Sequence, residues 1–166
     1  MSAPAVIDSF EFARNGEKLS GTLPVAHFSR LQDLVADNGG DLSYEIVGGH
    51  DARQRPQLML RVRGVLELQC QRCLGPLRHV VDFENTVLVM PEGATPDDAQ
   101  EPDGPDYIEA QREMDVASLV EDEVLLQLPF APRHEGKCAS SEQAAVSRGG
   151  KESPFAVLAA LKNTKT

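Results

Sequence analysis

Two alternating segments of apolar and polar residues flank a pair of cysteines, and this feature constrains the fold most strongly. In residues 57–68 apolar side chains recur at alternate positions, so one face carries Leu58, Leu60, Val62, Leu66 and Leu68. Residues 77–90 repeat the pattern, with one face carrying His79, Val81, Phe83, Val87 and Val89. A period of two is typical of a half-buried strand. Since only residues 69–76 separate the segments, they predict an antiparallel β-hairpin.

The other periodicities predict an α+β fold around this hairpin. Further short strands are expected at 6–12, 18–23 and 41–47. Two helices and a short C-terminal helix are expected at 24–37, 116–127 and 155–162. Asp115 is suited to cap the second helix and Pro129 to end it. We expect an antiparallel sheet of roughly four to six strands, which can curl into a partial barrel, with two packed helices.

The chain length and the lack of a membrane-spanning run or secretory signal limit the class of protein. A chain of 166 residues with 41% hydrophobic residues suits a single domain over 1–166. It contains no apolar run near the roughly 20 residues needed to cross a bilayer, and no secretory signal. We therefore expect a cytoplasmic protein without a membrane partner, whose three cysteines stay reduced.

Two segments are expected to lie outside the packed core. Residues 91–114 are rich in Pro, Gly, Asp and Glu and predict a flexible acidic loop, because burial there cannot offset the entropy of ordering. Residues 139–152 are small and polar and predict a linker.

The cysteine spacing predicts a zinc site. Cys70 and Cys73 lie two residues apart in the hairpin connection, and Gly75 would permit a turn in which backbone N–H groups donate to thiolate. Downstream, His134 and Cys138 supply a second pair of ligand types. Zinc prefers four nitrogen or sulfur ligands in a tetrahedron. A Cys3His site would tie the segment after the second helix to the hairpin tip.

Alternatives remain open for these residues. The fourth ligand could be His79 or a water instead of His134, and the cysteines could be reduced thiols unrelated to one another. A thioredoxin-like redox pair would require the cysteines at a helix N-terminus after a strand. Here they lie between two strands, which disfavours that reading.

Charge is segregated along the chain. The formal net charge is −10, yet residues 92–123 alone hold twelve acidic residues against one arginine. The predicted hairpin is instead basic and carries candidate RNA phosphate contacts at Arg61, Arg63, Arg72 and Arg78. The alternative is a solvated sheet face with cross-strand pairs to Glu67, Asp82 or Glu84.

Three adjacent acids, Glu121, Asp122 and Glu123, lie on the second predicted helix. They fan around the helix without converging, so they predict a solvated face or a docking surface for a basic ribosomal protein. No phosphate-binding glycine loop and no hydrolase motif is present. We therefore expect neither an enzyme nor a small-molecule substrate.

Several segments resemble the bacterial YceD family. They are residues 66–73 (LELQCQRC), residues 119–129 (LVEDEVLLQLP), the following Pro132, His134 and Cys138, and residues 154–162 (PFAVLAALK). Members are described as large ribosomal RNA subunit accumulation proteins. The resemblance implies a small cytosolic, non-enzymatic protein linked to 23S ribosomal RNA processing or accumulation. It also implies metal binding at Cys70, Cys73 and Cys138.

Three functions are compatible with the sequence. The first is a ribosome biogenesis factor that binds ribosomal RNA or a large-subunit precursor through the arginine-bearing hairpin. The second is an interaction module or chaperone for a basic ribosomal protein, which would use residues 92–123 and the C-terminal apolar helix. The third is a redox sensor based on the CxxC pair.

Overall fold

The computed structural model describes residues 5–136 and residue 138. In chain order its elements are β1 (Val6–Ile7), α1 (Ser9–Asn15), β2 (Lys18–Pro24), β3 (Val35–Asp37), β4 (Asp41–His50), β5 (Pro56–Gln69), β6 (Pro76–Met90), β7 (Tyr107–Glu109), β8 (Met114–Asp115) and α2 (Val116–Gln127). Two 3-10 turns, Val25–His27 and Leu31–Asp33, lie between β2 and β3. The predicted C-terminal helix at 155–162 and linker at 139–152 lie outside the described residues.

The α+β class is confirmed, with one six-stranded and one two-stranded sheet in the described part of the chain. The large sheet has the order β2-β4-β5-β6-β7, and β3 pairs with the far end of β5. All of its pairings are antiparallel except β6–β7, which is parallel, so the sheet is mixed. β1 pairs with β8. The described strands form no closed barrel. Nor is any described helix long and apolar enough to span a bilayer.

The long hairpin is confirmed as the centre of the fold. β5 and β6 pair from Gln57 opposite Leu88 to Gln69 opposite Pro76. The predicted apolar face of β5 is buried, and Leu58, Val62 and Leu66 are fully inaccessible. Both helices contribute side chains to the same core cluster. The predicted strands at 18–23 and 41–47 and the helix capped by Asp115 are also confirmed.

The predicted helix at 24–37 is wrong. Residues 25–27 and 31–33 form only single 3-10 turns, and 35–37 add a strand to β5. The backbone N–H groups of Arg30 and Leu31 donate to the Glu121 carboxylate instead of to carbonyls of a preceding helical turn. A distant side chain thus replaces the helical hydrogen bonds, and Val25, Phe28 and Leu31 point inward from a loop, whereas Leu34 is exposed.

The predicted strand at 6–12 is also wrong beyond its first two residues. Asp8 accepts a hydrogen bond from Glu11 N–H and caps α1, which ends at Gly16 in the left-handed conformation. The apolar side of α1 packs on β4, where Phe12 and Ala13 are buried. A seven-residue helix and a short strand have similar apolar patterns at this length.

The expectation that nothing in the acidic segment 91–114 is buried is wrong. Asp98 is 8% exposed and forms ion pairs with Arg53 at 2.8 Å and Arg55 at 2.6 Å. The hydrogen bonds of Arg55 lower the pKa of Asp98 below its usual value. Strand β7 in the same segment pairs with β6. The flexibility of the rest of the segment stays a prediction.

Candidate metal centre

Residues 70–75 form a tight knuckle between β5 and β6. Cys70 N–H donates to the Gly75 carbonyl at 2.9 Å, and Leu74 N–H donates to the Cys70 carbonyl at 2.8 Å. The left-handed residue is Leu74, with φ of 60°, and not Gly75 as the sequence suggested. A non-glycine residue there costs about 1–2 kcal/mol. The knuckle therefore contains a strained backbone position, and such strain is common at functional sites.

The segment after α2 returns to the knuckle. Gln71 N–H donates to the Pro132 carbonyl at 2.8 Å, which fixes the returning backbone beside the turn. His134 and Cys138 then lie next to Cys70 and Cys73, and the four ligand atoms all fall within 4.8 Å of one another. We call these four residues the thiol–imidazole cluster. His79, the alternative fourth ligand, is not part of it.

Three distances within the thiol–imidazole cluster match the edges of a tetrahedron around a metal ion. The Cys70 and Cys138 Sγ atoms are 3.8 Å apart, well beyond the roughly 2.05 Å of a disulfide. His134 Nδ1 lies 3.6 Å from Cys73 Sγ and 3.5 Å from Cys138 Sγ. Zinc–sulfur bonds of about 2.3 Å and zinc–nitrogen bonds of about 2.05 Å at tetrahedral angles give about 3.8 Å and 3.55 Å for these separations. The four residues can therefore hold a metal ion of this size.

The imidazole of His134 is oriented for ligation through Nδ1. Its Nε2 lies 2.9 Å from the Pro76 carbonyl oxygen, at the start of β6. A carbonyl accepts only from N–H, so this bond places the proton on Nε2 and leaves the Nδ1 lone pair directed at the sulfurs. The same bond raises the pKa of His134. Metal-ligating histidines commonly have such an orienting partner.

The thiols differ in how readily they ionise. Burial pushes the pKa of Cys70 upward, but the backbone N–H groups of Cys73, Arg72 and His134 donate to it and bring the pKa to about 5. Burial raises the pKa of Cys138. The lowered pKa of Cys70 favours the thiolate, which is the form that binds metal.

Arg72, predicted as an RNA contact, lies against the thiol–imidazole cluster. Its Nε donates to Cys138 Sγ at 2.9 Å, and its Nη2 donates to the carbonyls of His134, at 3.3 Å, and Gly136. Sequence reasoning missed these contacts, although the position of Arg72 between two ligand cysteines was a signal. Whether it also contacts RNA stays a prediction.

Arg61 and Arg63 lie on the outer face of the sheet, the face opposite the core. Arg63 Nε pairs with Asp82 at 3.2 Å. The Arg61 guanidinium lies 4.0 Å from the Asp82 carboxylate and 3.9 Å from that of Glu84, so both ion pairs are long. The Nε of Arg61 is buried and has no hydrogen-bond partner among the described residues. The cross-strand pairing that the sequence offered as an alternative is therefore present.

The rest of the outer face mixes polar and apolar side chains, such as Val65 opposite the exposed Val80, and it is nearly balanced in charge. Lys18 pairs with Glu45 at 2.9 Å. Arg78 is exposed and lies opposite Glu67 in the β5–β6 register. A shallow cavity of about 320 Å³ is lined by hydroxyl and guanidinium groups, among them those of Ser20, Thr22, Ser43, Arg61 and Arg63. This face has donors for phosphate, but it is not a purely basic patch.

Glu121 faces the interior, where the sequence suggested a solvated face. It is 6% exposed, and its Oε1 accepts from the backbone N–H groups of Arg30 at 2.6 Å and Leu31 at 3.1 Å. Its Oε2 pairs with the guanidinium of Arg30 at 3.1 Å. The carboxylate thus anchors the 25–33 segment to α2.

Glu123 is likewise 6% exposed and accepts a hydrogen bond from Asn85 Nδ2 at 2.8 Å. Asp122 lies between the two buried acids on the exposed side of α2 and pairs with Arg30. The solvated-face interpretation is therefore wrong for Glu121 and Glu123. A role in docking a protein partner stays a prediction, and Asp122 is the exposed member of the three.

Replacing Glu121 by alanine should destabilise the protein by about 2–4 kcal/mol. The change leaves two backbone donors without their acceptor and removes the buried carboxylate from an ion pair whose Arg30 side chain is 49% exposed. Asp122→Ala is the matched control, since its side chain is 55% exposed and should lose less than about 1 kcal/mol. Urea unfolding of both variants measures the difference. Equal losses would contradict the anchoring role.

The fold and the thiol–imidazole cluster define a class: a small α+β protein whose cysteine-bearing hairpin meets a returning segment at a candidate metal centre. The model of the family "Large ribosomal RNA subunit accumulation protein YceD" matches residues 58–162, which include all four cluster residues. The chain belongs to this family. A Haemophilus influenzae protein described as "Large ribosomal RNA subunit accumulation protein YceD" is 28% identical over 166 residues, covering 96% of this chain and 95% of that protein. No solved structure matches the chain.

Proposed function

We propose that the chain is a cytoplasmic, non-enzymatic factor that supports accumulation of the large ribosomal RNA. It binds ribosomal RNA or a large-subunit precursor, and it carries one zinc ion in the thiol–imidazole cluster. Family membership supports the ribosomal role, and the matched region includes nearly all of the hairpin. The observation that carries the mechanism is the tetrahedral spacing of Cys70, Cys73, His134 and Cys138.

Zinc would supply a structural cross-link at this position. Cys70 and Cys73 belong to the hairpin tip, whereas His134 and Cys138 follow α2, so the metal would join segments that are 61 to 68 positions apart. No ligand position remains open in a Cys3His site, which is typical of structural rather than catalytic zinc. The absence of an open position supports a non-enzymatic role.

The outer face of the sheet is the candidate RNA surface. Serine and threonine hydroxyls there can donate to phosphate and ribose oxygens, and Arg61 and Arg63 offer guanidinium groups next to them. Exposed ion pairs contribute about 0–1 kcal/mol, so RNA phosphate can replace Asp82 and Glu84 as the partner of these arginines. Such contacts position RNA without reading its sequence, so selectivity would come from RNA shape.

The double variant Arg61→Glu/Arg63→Glu should weaken binding to large-subunit RNA at least about tenfold at moderate salt. Each lost phosphate contact should also reduce the salt dependence of binding by about one unit of slope. Filter binding at several salt concentrations measures both quantities. The control Arg14→Glu/Arg112→Glu makes the same charge change at exposed residues away from this face. Equal loss in both double variants would point to a general charge effect and would remove the outer face as the RNA surface.

One observation favours the second function, docking of a basic ribosomal protein. Although Asp98 is buried, seven other acids between positions 92 and 113 remain exposed: Glu92, Asp97, Glu101, Asp103, Asp106, Glu109 and Glu113. A concentrated negative surface attracts basic partners and repels RNA. Under this alternative, Arg61→Glu/Arg63→Glu leaves partner binding unchanged.

A further inference from the structure

We propose that Arg72 is a positioning residue of the metal centre, which holds the returning ligand segment against the knuckle and balances the charge of the metal site. The inference rests on the proposed zinc site and adds a residue outside the ligand set. Arg72 belongs to the knuckle, yet its guanidinium donates hydrogen bonds to Cys138, His134 and Gly136, which all follow α2. One side chain therefore bridges the two halves of the site.

Charge balance gives the guanidinium a specific task. A zinc ion with three thiolates and one neutral imidazole carries a net charge of −1. Cys70 and Cys138 are almost fully buried, so this charge is poorly solvated. Arg72 brings the total to zero with a permanent positive charge placed 2.9 Å from the Cys138 sulfur. An N–H donor to a metal-bound thiolate also tunes its donor strength.

The geometry requires arginine rather than any cation. Nε and Nη2 form one edge of a planar group, so Arg72 reaches a sulfur with one nitrogen and two carbonyl oxygens with the other. Lysine carries the same charge on a single nitrogen and cannot hold all three acceptors in this arrangement. Arg72→Lys should therefore keep the positive charge beside the metal site but lose the hold on the segment after α2.

The test compares zinc release and the cobalt spectrum in Arg72→Gln, Arg72→Lys and the control Arg78→Gln. Arg78 is an exposed arginine of β6 outside the cluster, so the control removes the same charge nearby. We expect Arg72→Gln to transfer zinc to a chelating dye on the order of 10- to 100-fold faster than the natural chain, with Arg72→Lys between them and Arg78→Gln unchanged. With cobalt in place of zinc, loss of the N–H donor to Cys138 should shift the sulfur-to-metal charge-transfer band in Arg72→Gln.

The outcomes separate this inference from the proposed function. If the natural chain binds neither zinc nor cobalt, the metal centre itself fails and the role of Arg72 fails with it. If the natural chain binds metal but Arg72→Gln keeps its release rate and its cobalt spectrum, only the positioning role is overturned. Loss of RNA binding in Arg72→Gln with unchanged metal release would likewise overturn it and make Arg72 an RNA contact.

Discussion

Changing Cys70 to serine should abolish stoichiometric zinc binding and lower the Tm by about 8–16 °C. Cys70 is the fully buried member of the thiol–imidazole cluster, and serine would replace its thiolate by a neutral hydroxyl, which is not among the usual zinc ligands. A metal present at about a thousandfold its dissociation constant stabilises the folded state by about 4 kcal/mol. For a chain of 166 residues, each kcal/mol corresponds to about 2–4 °C.

Elemental analysis of the purified protein measures the zinc content, and thermal unfolding with and without a chelator measures the stabilisation. His79→Gln is the control, because His79 lies outside the cluster and should keep one equivalent of zinc. A natural chain that contains no metal, and whose Cys70 and Cys73 cycle between thiol and disulfide with a reductant, would instead support the redox sensor. Chelator should then leave the Tm of the natural chain unchanged.

The sequence predicts the parts of this protein that depend on short-range patterns. Alternation over 57–68 and 77–90 defines the hairpin, because its two strands are joined by a short connection. The capping residue Asp115 likewise marks the start of α2, because a helix cap depends on residues that are close in sequence. The candidate metal ligands can also be predicted from the sequence. Cys70, Cys73, His134 and Cys138 fall in two short motifs that the hairpin and α2 bring together.

The parts that sequence reasoning missed depend on contacts between distant residues. Apolar residues at helical spacing in 24–37 suggested a helix, but Glu121, about 90 positions away, supplies the acceptors that decide the local backbone. The sequence also suggested that the acids of α2 are solvated. Nothing nearby in sequence indicates that Arg30 lies against them. Asp98 is buried in an acidic segment only because Arg53 and Arg55 face it from another loop.

The charge of a segment in the sequence therefore did not predict which of its side chains are exposed. The acidic stretch 92–123 contains three buried carboxylates, each with a partner from another element: Asp98, Glu121 and Glu123. On the hairpin, two of the four predicted RNA contacts pair with acids of the neighbouring strand, and a third, Arg72, donates to Cys138. Pairing across elements therefore removes part of the charge segregation that the linear sequence suggests, while seven acids between positions 92 and 113 stay exposed.

Gly48→Ala should destabilise the fold by about 3 kcal/mol, although it adds only one methyl group. A Cβ at this position would lie 2.3 Å from the Phe12 carbonyl oxygen and 2.9 Å from the Ala13 Cα. Both atoms belong to the backbone of α1, which cannot move aside as a flexible side chain would. Since α1 packs directly on β4 at this point, the helix must shift as a unit, and overpacking of this kind costs about 1–3 kcal/mol or more.

Gly49→Ala is the matched control, because the same methyl group at the next residue meets no atom within 4 Å. Its stability should stay within about 0.5 kcal/mol of the natural chain or rise slightly, since alanine restricts the unfolded state more than glycine does. Urea unfolding distinguishes the two variants, and similar losses at both positions would mean that α1 does not pack as the structure has it.

Zinc content separates this effect from that of Cys70→Ser. Gly48 lies opposite Leu58, and the knuckle begins after Gln69, about 36 Å further along β5. A clash at one end of the sheet should therefore lower the Tm while one equivalent of zinc stays bound below the transition. Loss of zinc in folded Gly48→Ala would show that the metal centre depends on the packing of α1, and the cross-link could not then be treated as a local feature of the hairpin tip.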